Sequence, residues 1–214
     1  MSFQTIFENQ ESMTVNNRRM VGQQVARSGY MTVAQYLTAV PWVFTVTPNN
    51  FLYYPTARAI IQAIDNNDRQ LPETIAFTST NLSWFLKYLG SAPSQPTGIQ
   101  LNATPAANAT SVVLKTLPTM TSTLPLFKAG DFIQFGNYTY KVTADVLRGS
   151  GSTVTVPIHR PVIGSPVINN PVSVGTNCTF NVVAEVCPTY TLTPMTNGAF
   201  VNWDQPFVFR EYIT

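Results

Sequence analysis

FKAGDFIQFGNYTYKVTADVLRGSGSTVTVPIHRPV, residues 127–162, reads as three successive antiparallel strands and decides the fold class. After the Ala129-Gly130 break, residues 131–135 form a first strand. The two-residue turn Gly136-Asn137 then puts glycine at the first central position, as a type II′ hairpin requires. In the second strand Tyr138, Tyr140, Val142, Ala144 and Val146 alternate with Thr139, Lys141, Thr143 and Asp145, which predicts one buried face and one wet face. Residues 148–152 reverse the chain. Val154, Val156 and Ile158 then alternate with Thr153 and Thr155 until Pro157 and Pro161, which lack an amide donor, end the strand. A β-meander of this kind holds structure and has no room for catalytic chemistry.

Working outward, Trp42, Phe44 and Val46 alternate with Val43, Thr45 and Thr47 between Pro41 and Pro48, a short strand fenced by prolines. Ala57, Ile60, Ile61 and Ile64 follow Pro55 at i, i+3, i+4 and i+7, which predicts one helix over residues 56–66 with a single apolar stripe for a sheet. Residues 71–78 return as a strand. NLSWFLKYLG (81–90) is an aromatic strand or buried turn, and residues 91–98 are a Pro- and Ser-rich connector. Residues 99–104 and 111–117 read as a hairpin around PAANA, and 171–176, 179–186 and 189–193 as further strands. The closing stretch FVNWDQPFVFREYIT (200–214) is aromatic on both faces, the pattern of a central or sheet-closing strand. Residues 1–35 read as a polar extended arm, with a weak helical pattern through Met20, Val21, Gln24 and Val25.

Only 10% of the 214 residues are charged, against about 25% in an ordinary soluble domain. A surface so poor in charge favours a subunit of a permanent assembly, with a secreted β-protein as the alternative. The net charge is +2 and, apart from Arg18-Arg19, the basic residues are single, so no Lys/Arg stripe marks a dedicated nucleic-acid face and sequence-specific DNA binding is not expected. The N-terminus has no apolar stretch of signal-peptide length, and no segment has the roughly 18 apolar residues of a membrane span. The expectation is therefore a protein without a membrane span, assembled in a cytoplasm, whose N-x-[ST] triplets (Asn81, Asn102, Asn108, Asn137, Asn177) arise from its Asn- and Thr-rich composition. Cys178 and Cys187 flank the strand 179–186, which if straight holds them roughly 30 Å apart. A disulfide needs Cα atoms within about 7 Å, so reduced thiols are expected.

Chemistry is sparse. The single histidine, His159, has no ligand partner at metal spacing, and the nearest pair of carboxylates, Asp131 and Asp145, has turn and wet-face duties that suffice to explain it. No GxSxG, GxGxxG or GxxxxGK[ST] occurs. These readings predict no enzyme, no metal and no cofactor. Trp42, Trp84, Trp203 and nine tyrosines suit a core or subunit interface, with a carbohydrate- or receptor-binding β-sandwich as the alternative.

Residues 127–163, through HRPVI, resemble the repeated strand pattern of tail-tube and baseplate-hub structural proteins of contractile-tailed bacteriophages. PWVFTVTPNN (41–50), the helix, LPETIAF (71–77) and the aromatic end FVNWDQPFVFREYIT resemble the opening strand, helix, return strand and closing strand of the tube-type domain, so the likeness covers residues 38–214. It implies a mainly β fold: a β-sandwich or barrel of tail-tube type with one flanking helix and a small inserted or appended β-barrel. The domain organisation that follows is a polar arm (1–35), the first part of the tube-type domain with helix 56–66 (36–117), the small meander barrel (118–170) and the closing strands (171–214). It also implies a homohexameric ring in the virion, acting as tail tube, tube initiator or baseplate hub, stacked on neighbouring tail proteins around passing DNA. Candidate subunit-interface residues are Arg18, Arg19, Trp42, Phe44, Phe207, Phe209 and Tyr212. Tube lumens of the family commonly present acids to DNA, and this chain has only 10.

Overall fold

A computed structural model describes residues 2–214 except 19, 20, 26, 36–39, 50, 51, 68–70 and 197. The chain opens with α1 (Ser2–Glu8) and β1 (Gln10–Asn16), passes through β2 (Val21–Val25) and β3 (Met31–Gln35), and continues as β4 (Val43–Pro48), β5 (Leu52–Tyr53), α2 (Tyr54–Asn67) and β6 (Glu73–Ala76). Next come β7 (Gln100–Leu101), β8 (Ser111–Lys115), β9 (Pro125–Phe127), β10 (Phe132–Phe135), β11 (Tyr138–Lys141), β12 (Val146–Leu147), β13 (Thr153–Pro157) and β14 (Ser173–Val174). A 3-10 turn leads to β15 (Thr179–Val186), β16 (Tyr190–Met195), β17 (Gly198–Trp203) and β18 (Phe207–Glu211). The fold is mainly β. It divides into two compact units, the first made of Met1–Asn16, Trp42–Lys87 and Thr176–Thr214 and the second of Asn17–Pro41 and Tyr88–Gly175.

The first unit is built on an antiparallel sheet in the order β1-β4-β18-β15-β6. Its buried face is aromatic because β4, β15 and β18 place Phe44, Phe180, Phe207 and Phe209 at alternate positions. Helix α1 covers that face. Phe3, Ile6 and Phe7 fall at i, i+3 and i+4, all three are buried, and the Phe7 ring lies 5.6 Å from Phe44, 5.8 Å from Phe77 and 4.9 Å from Phe209. A helix of seven residues is not stable alone, so this packing is what makes it one. Polar clasps finish the job. Glu73 accepts the Phe3 N–H at 3.1 Å, one of the helix's unpaired first-turn donors, while the Gln4 amide accepts from Ala76 N–H (2.9 Å) and donates to Ala76 O (2.8 Å), pairing the edge of β6. A second sheet, β16-β17-β5, carries α2, whose Ala57 and Ile61 pack on Val201. The helix expected over 56–66 is there, and Ala57, Ile61 and Ile64 of its stripe are buried.

The second unit closes on itself. β14 pairs with β10 and β10 with β11; a bridge from Val142 to Ile158 leads on to β13, which pairs with β8, and β8 pairs with β7. The Gln100–Pro171 bridge then joins β7 to the chain entering β14. The pairings therefore run in a circle, a small barrel filled by Leu101, Leu114, Ile133, Phe135, Tyr140, Val142, Val156 and Val174. β9 and β12 form a separate two-stranded ribbon, as do β2 and β3.

Several expectations need correction. Two helices are present among the described residues, not one, and residues 1–16 are α1 and an edge strand rather than a polar arm. The helical pattern through Val21 and Val25 is overridden by strand pairing in the β2–β3 hairpin. The hairpin of residues 99–117 belongs to the barrel, whose unit holds Tyr88–Gly175 together with Asn17–Pro41 rather than residues 118–170. The predicted meander forms only in its first half. β10 and β11 pair across Gly136, whose φ of 61° fits the type II′ turn, but β13 pairs with β8, and Val146 leaves to pair with Phe127. Closing a circle requires a strand to pair with a non-sequential neighbour, and alternation within one strand carries no trace of which neighbour that is. The wet face is also only partly wet. Thr139 is fully buried and Ala144 is exposed, because the strand stops at Lys141.

Candidate assembly surface

The buried and half-buried polar side chains of the second unit bond its own backbone. Asp131 is buried and accepts the Leu89 N–H at 2.7 Å and the Lys128 N–H at 2.8 Å, while Asp145 accepts the Ala129 N–H at 2.9 Å. Both carboxylates clasp one turn. Burial pushes the Asp131 carboxyl above the ordinary range, against the backbone donors and the Lys128 charge that pull it down. His159 takes the place of a strand partner for Lys141: its Nδ1 accepts the Lys141 N–H at 2.9 Å and its own N–H donates to Lys141 O at 3.0 Å. Arg160, buried with its guanidinium 5.2 Å from the centre of the Tyr140 ring, donates to Val40 O (2.6 Å) and Thr139 O (2.9 Å), which ties residue 40 to the barrel. Among the described residues no group of three His, Cys, Asp or Glu is placed to hold a metal.

The candidate interface aromatics are core residues. Trp42, Phe44, Phe207 and Phe209 are at most 2% exposed, and Phe44, Phe180, Phe207 and Phe209 pack ring against ring within the first unit. Their side chains have no surface to offer a partner, so the interface assignment is withdrawn for these four. The period-two pattern identified them as buried but could not say against what, and a sheet face covered by α1 buries them without a second chain. Tyr212 is exposed and Arg18 is exposed, while Arg19 lies outside the described residues. Of the tryptophans only Trp84 is largely exposed.

The surface the sequence did not single out is β16. This strand, YTLTPM, is the outer edge of its sheet, carries no charge, and is exposed at all six positions. Its register with β17 sets Tyr190 opposite Trp203 and Leu192 opposite Val201, so Tyr190 and Leu192 share the side on which α2 packs. Helix α2 covers β17 but stops short of β16. An open groove remains there, lined by Ile61, Ile64, Cys187, Pro188, Tyr190 and Trp203, with Asp65 and Thr189 as its polar members. The opposite side is polar at Thr193, which accepts from the Asn202 amide at 3.0 Å. At the tip Gly198 admits the Tyr53 ring so closely that a Cβ there would meet it at 2.5 Å. The other long edge in this unit is β1, seven residues with Glu11, Ser12, Thr14 and Asn16 exposed. Two unpaired edges of similar length, one of them apolar and uncharged, invite pairing with another chain.

Compared with known proteins, the chain matches no family model, and no curated protein matches it significantly.

Proposed function

We propose that this chain is a structural subunit that joins its own copies edge to edge in a closed ring, of the kind that builds the tube, tube initiator or baseplate hub of a phage tail around a DNA channel. One observation carries the reading: among the described residues β16 is an exposed, uncharged edge strand beside an open, mainly apolar groove, with β1 as a second edge strand of similar length. In this reading β16 of one copy pairs with β1 of the next, and an apolar side chain of the neighbour fills the groove. A contact between two different edges is heterologous, so it generates a ring when the rotation closes and a filament when it does not. Closure covers every edge, which is what a domain with 10% charged residues and few edge charges needs to remain soluble. Phage-tail membership and hexameric closure rest on the resemblance of residues 38–214 described above.

Mass photometry of the purified protein tests the ring, with a hexameric mass expected for the native chain. Leu192→Lys places a charge on the outer edge without touching the covered side of β17, and should leave monomers with native circular dichroism. A native chain that stays monomeric at micromolar concentration, or an L192K ring of native mass, would refute this use of β16.

A further inference from the structure

The chain's charge is unevenly placed. Of 12 basic and 10 acidic residues, residues 17–41 hold three arginines, Arg18, Arg19 and Arg27, and no carboxylate. That segment contains the hairpin β2–β3, paired from Val21–Gln35 to Val25–Met31 and joined by a five-residue loop in which Gly29 takes φ of 84°. Its strands pair with no other strand among those described. A lone two-stranded hairpin is marginal in water and gains stability from any surface it can lie on. The tip is open: Val25, Arg27, Ser28, Tyr30 and Met31 are exposed, Tyr30 at 78%. Arg18, before β2, is exposed as well.

We propose that the hairpin β2–β3 is a contact for the phosphate backbone of duplex DNA, with Arg27 and Tyr30 at its tip and Arg18 preceding β2. The argument is one of complementarity. All the charge is arginine, whose forked guanidinium bonds phosphate oxygens in pairs, and no acid in the segment opposes it. The remaining polar residues, including Gln23, Gln24, Ser28, Thr32 and Gln35, are of the types that bond phosphate without reading bases. Arg18 and Arg27 are separated by at most roughly 30 Å of chain at about 3.3 Å per residue, long enough to meet several phosphates of one strand. Three charges on one copy bind weakly. Repeated around a ring they act together, and for that multivalency the inference rests on the ring reading.

The test measures duplex DNA binding of the native protein by fluorescence anisotropy across a salt series, with ring mass recorded for every variant. Arg27→Gln is expected to keep the native ring mass, lower affinity about tenfold at low salt, and flatten the salt slope by about 0.9 for each hairpin engaged. Arg27→Lys should restore most of the affinity, since a point charge still attracts phosphate. Native rings that fail to bind duplex, or that bind it equally well with Arg18→Gln/Arg27→Gln, would overturn the hairpin assignment while leaving the ring intact. Binding of the hairpin to phosphatidylserine vesicles, lost in the double variant while duplex binding persists, would overturn it in favour of a lipid surface. Monomers that bind duplex through Arg27 would keep the contact and refute only the ring.

Discussion

Tyr140 concentrates what the barrel asks of a single side chain. Its ring stacks on Phe135 at 4.4 Å, faces the Arg160 guanidinium, and its hydroxyl accepts the buried Ile163 N–H at 2.9 Å. Tyr140→Ala should therefore cost about 3–5 kcal/mol by urea denaturation, as loss of a core aromatic does. Tyr140→Phe keeps the stack but strands the Ile163 amide, at about 1–3 kcal/mol. Lys141→Ala, half-buried with its polar backbone held by His159, should stay under about 0.5 kcal/mol. Asp131 supplies a pH signature. Its carboxyl is raised by burial, so the folded chain holds that proton to a higher pH than the unfolded chain does. The resulting stability is fully present below the ordinary Asp pKa of about 3.9 and is lost as pH rises through the folded value. Against Asp131→Asn, the native protein should lose relative Tm on going from pH 3.5 to pH 7. A difference in Tm that grows over that interval would mean the backbone donors outweigh burial.

At the scale of elements, β15 keeps its two cysteines apart. Cys178 precedes it, Cys187 follows it, both are buried free thiols, and burial pushes the Cys178 thiol far up from its ordinary pKa. Alkylation without reductant should label neither thiol rapidly in the folded protein and both in denaturant, read by intact mass; failure to label two sites in denaturant would reveal a bridge. The predicted strand 179–186 coincides with β15 to the residue because alternating Phe180, Val182 and Ala184 leave no other register for burial. α1 escaped the reading although Phe3, Ile6 and Phe7 carry its spacing. About two turns of helix hold too few repeats for periodicity to register, and only the Phe44–Phe209 face beneath makes it favourable. β16 escaped as a surface for a related reason: a sequence of alternating Thr with Tyr, Leu and Met looks half-buried wherever it lies.

At the scale of the molecule, the two units face different problems. The barrel has removed its own edges by closing, whereas the first unit retains β1 and β16. If copies join through those edges, stability becomes linked to concentration. The Tm should then rise with protein concentration over a hundredfold range, and L192K should remove that dependence. A Tm independent of concentration in the native chain would count against edge-to-edge assembly.

The amino-acid sequence by itself determined the β class, helix α2, the Gly136 turn, the Cys-flanked strand and the burial of Trp42, Phe44, Tyr138 and Tyr140, because each follows from spacing within a dozen residues. Only the tertiary structure decided that β13 pairs with β8, that Thr139 is covered, that Phe44 and Phe209 pack on α1 while Trp42 packs on Phe180 and Phe207 on Trp203, and that β16 is left open. Those outcomes depend on contacts between residues far apart in the chain. Local periodicity says that a side chain turns away from water, and the identity of the surface it turns toward is set by the whole fold.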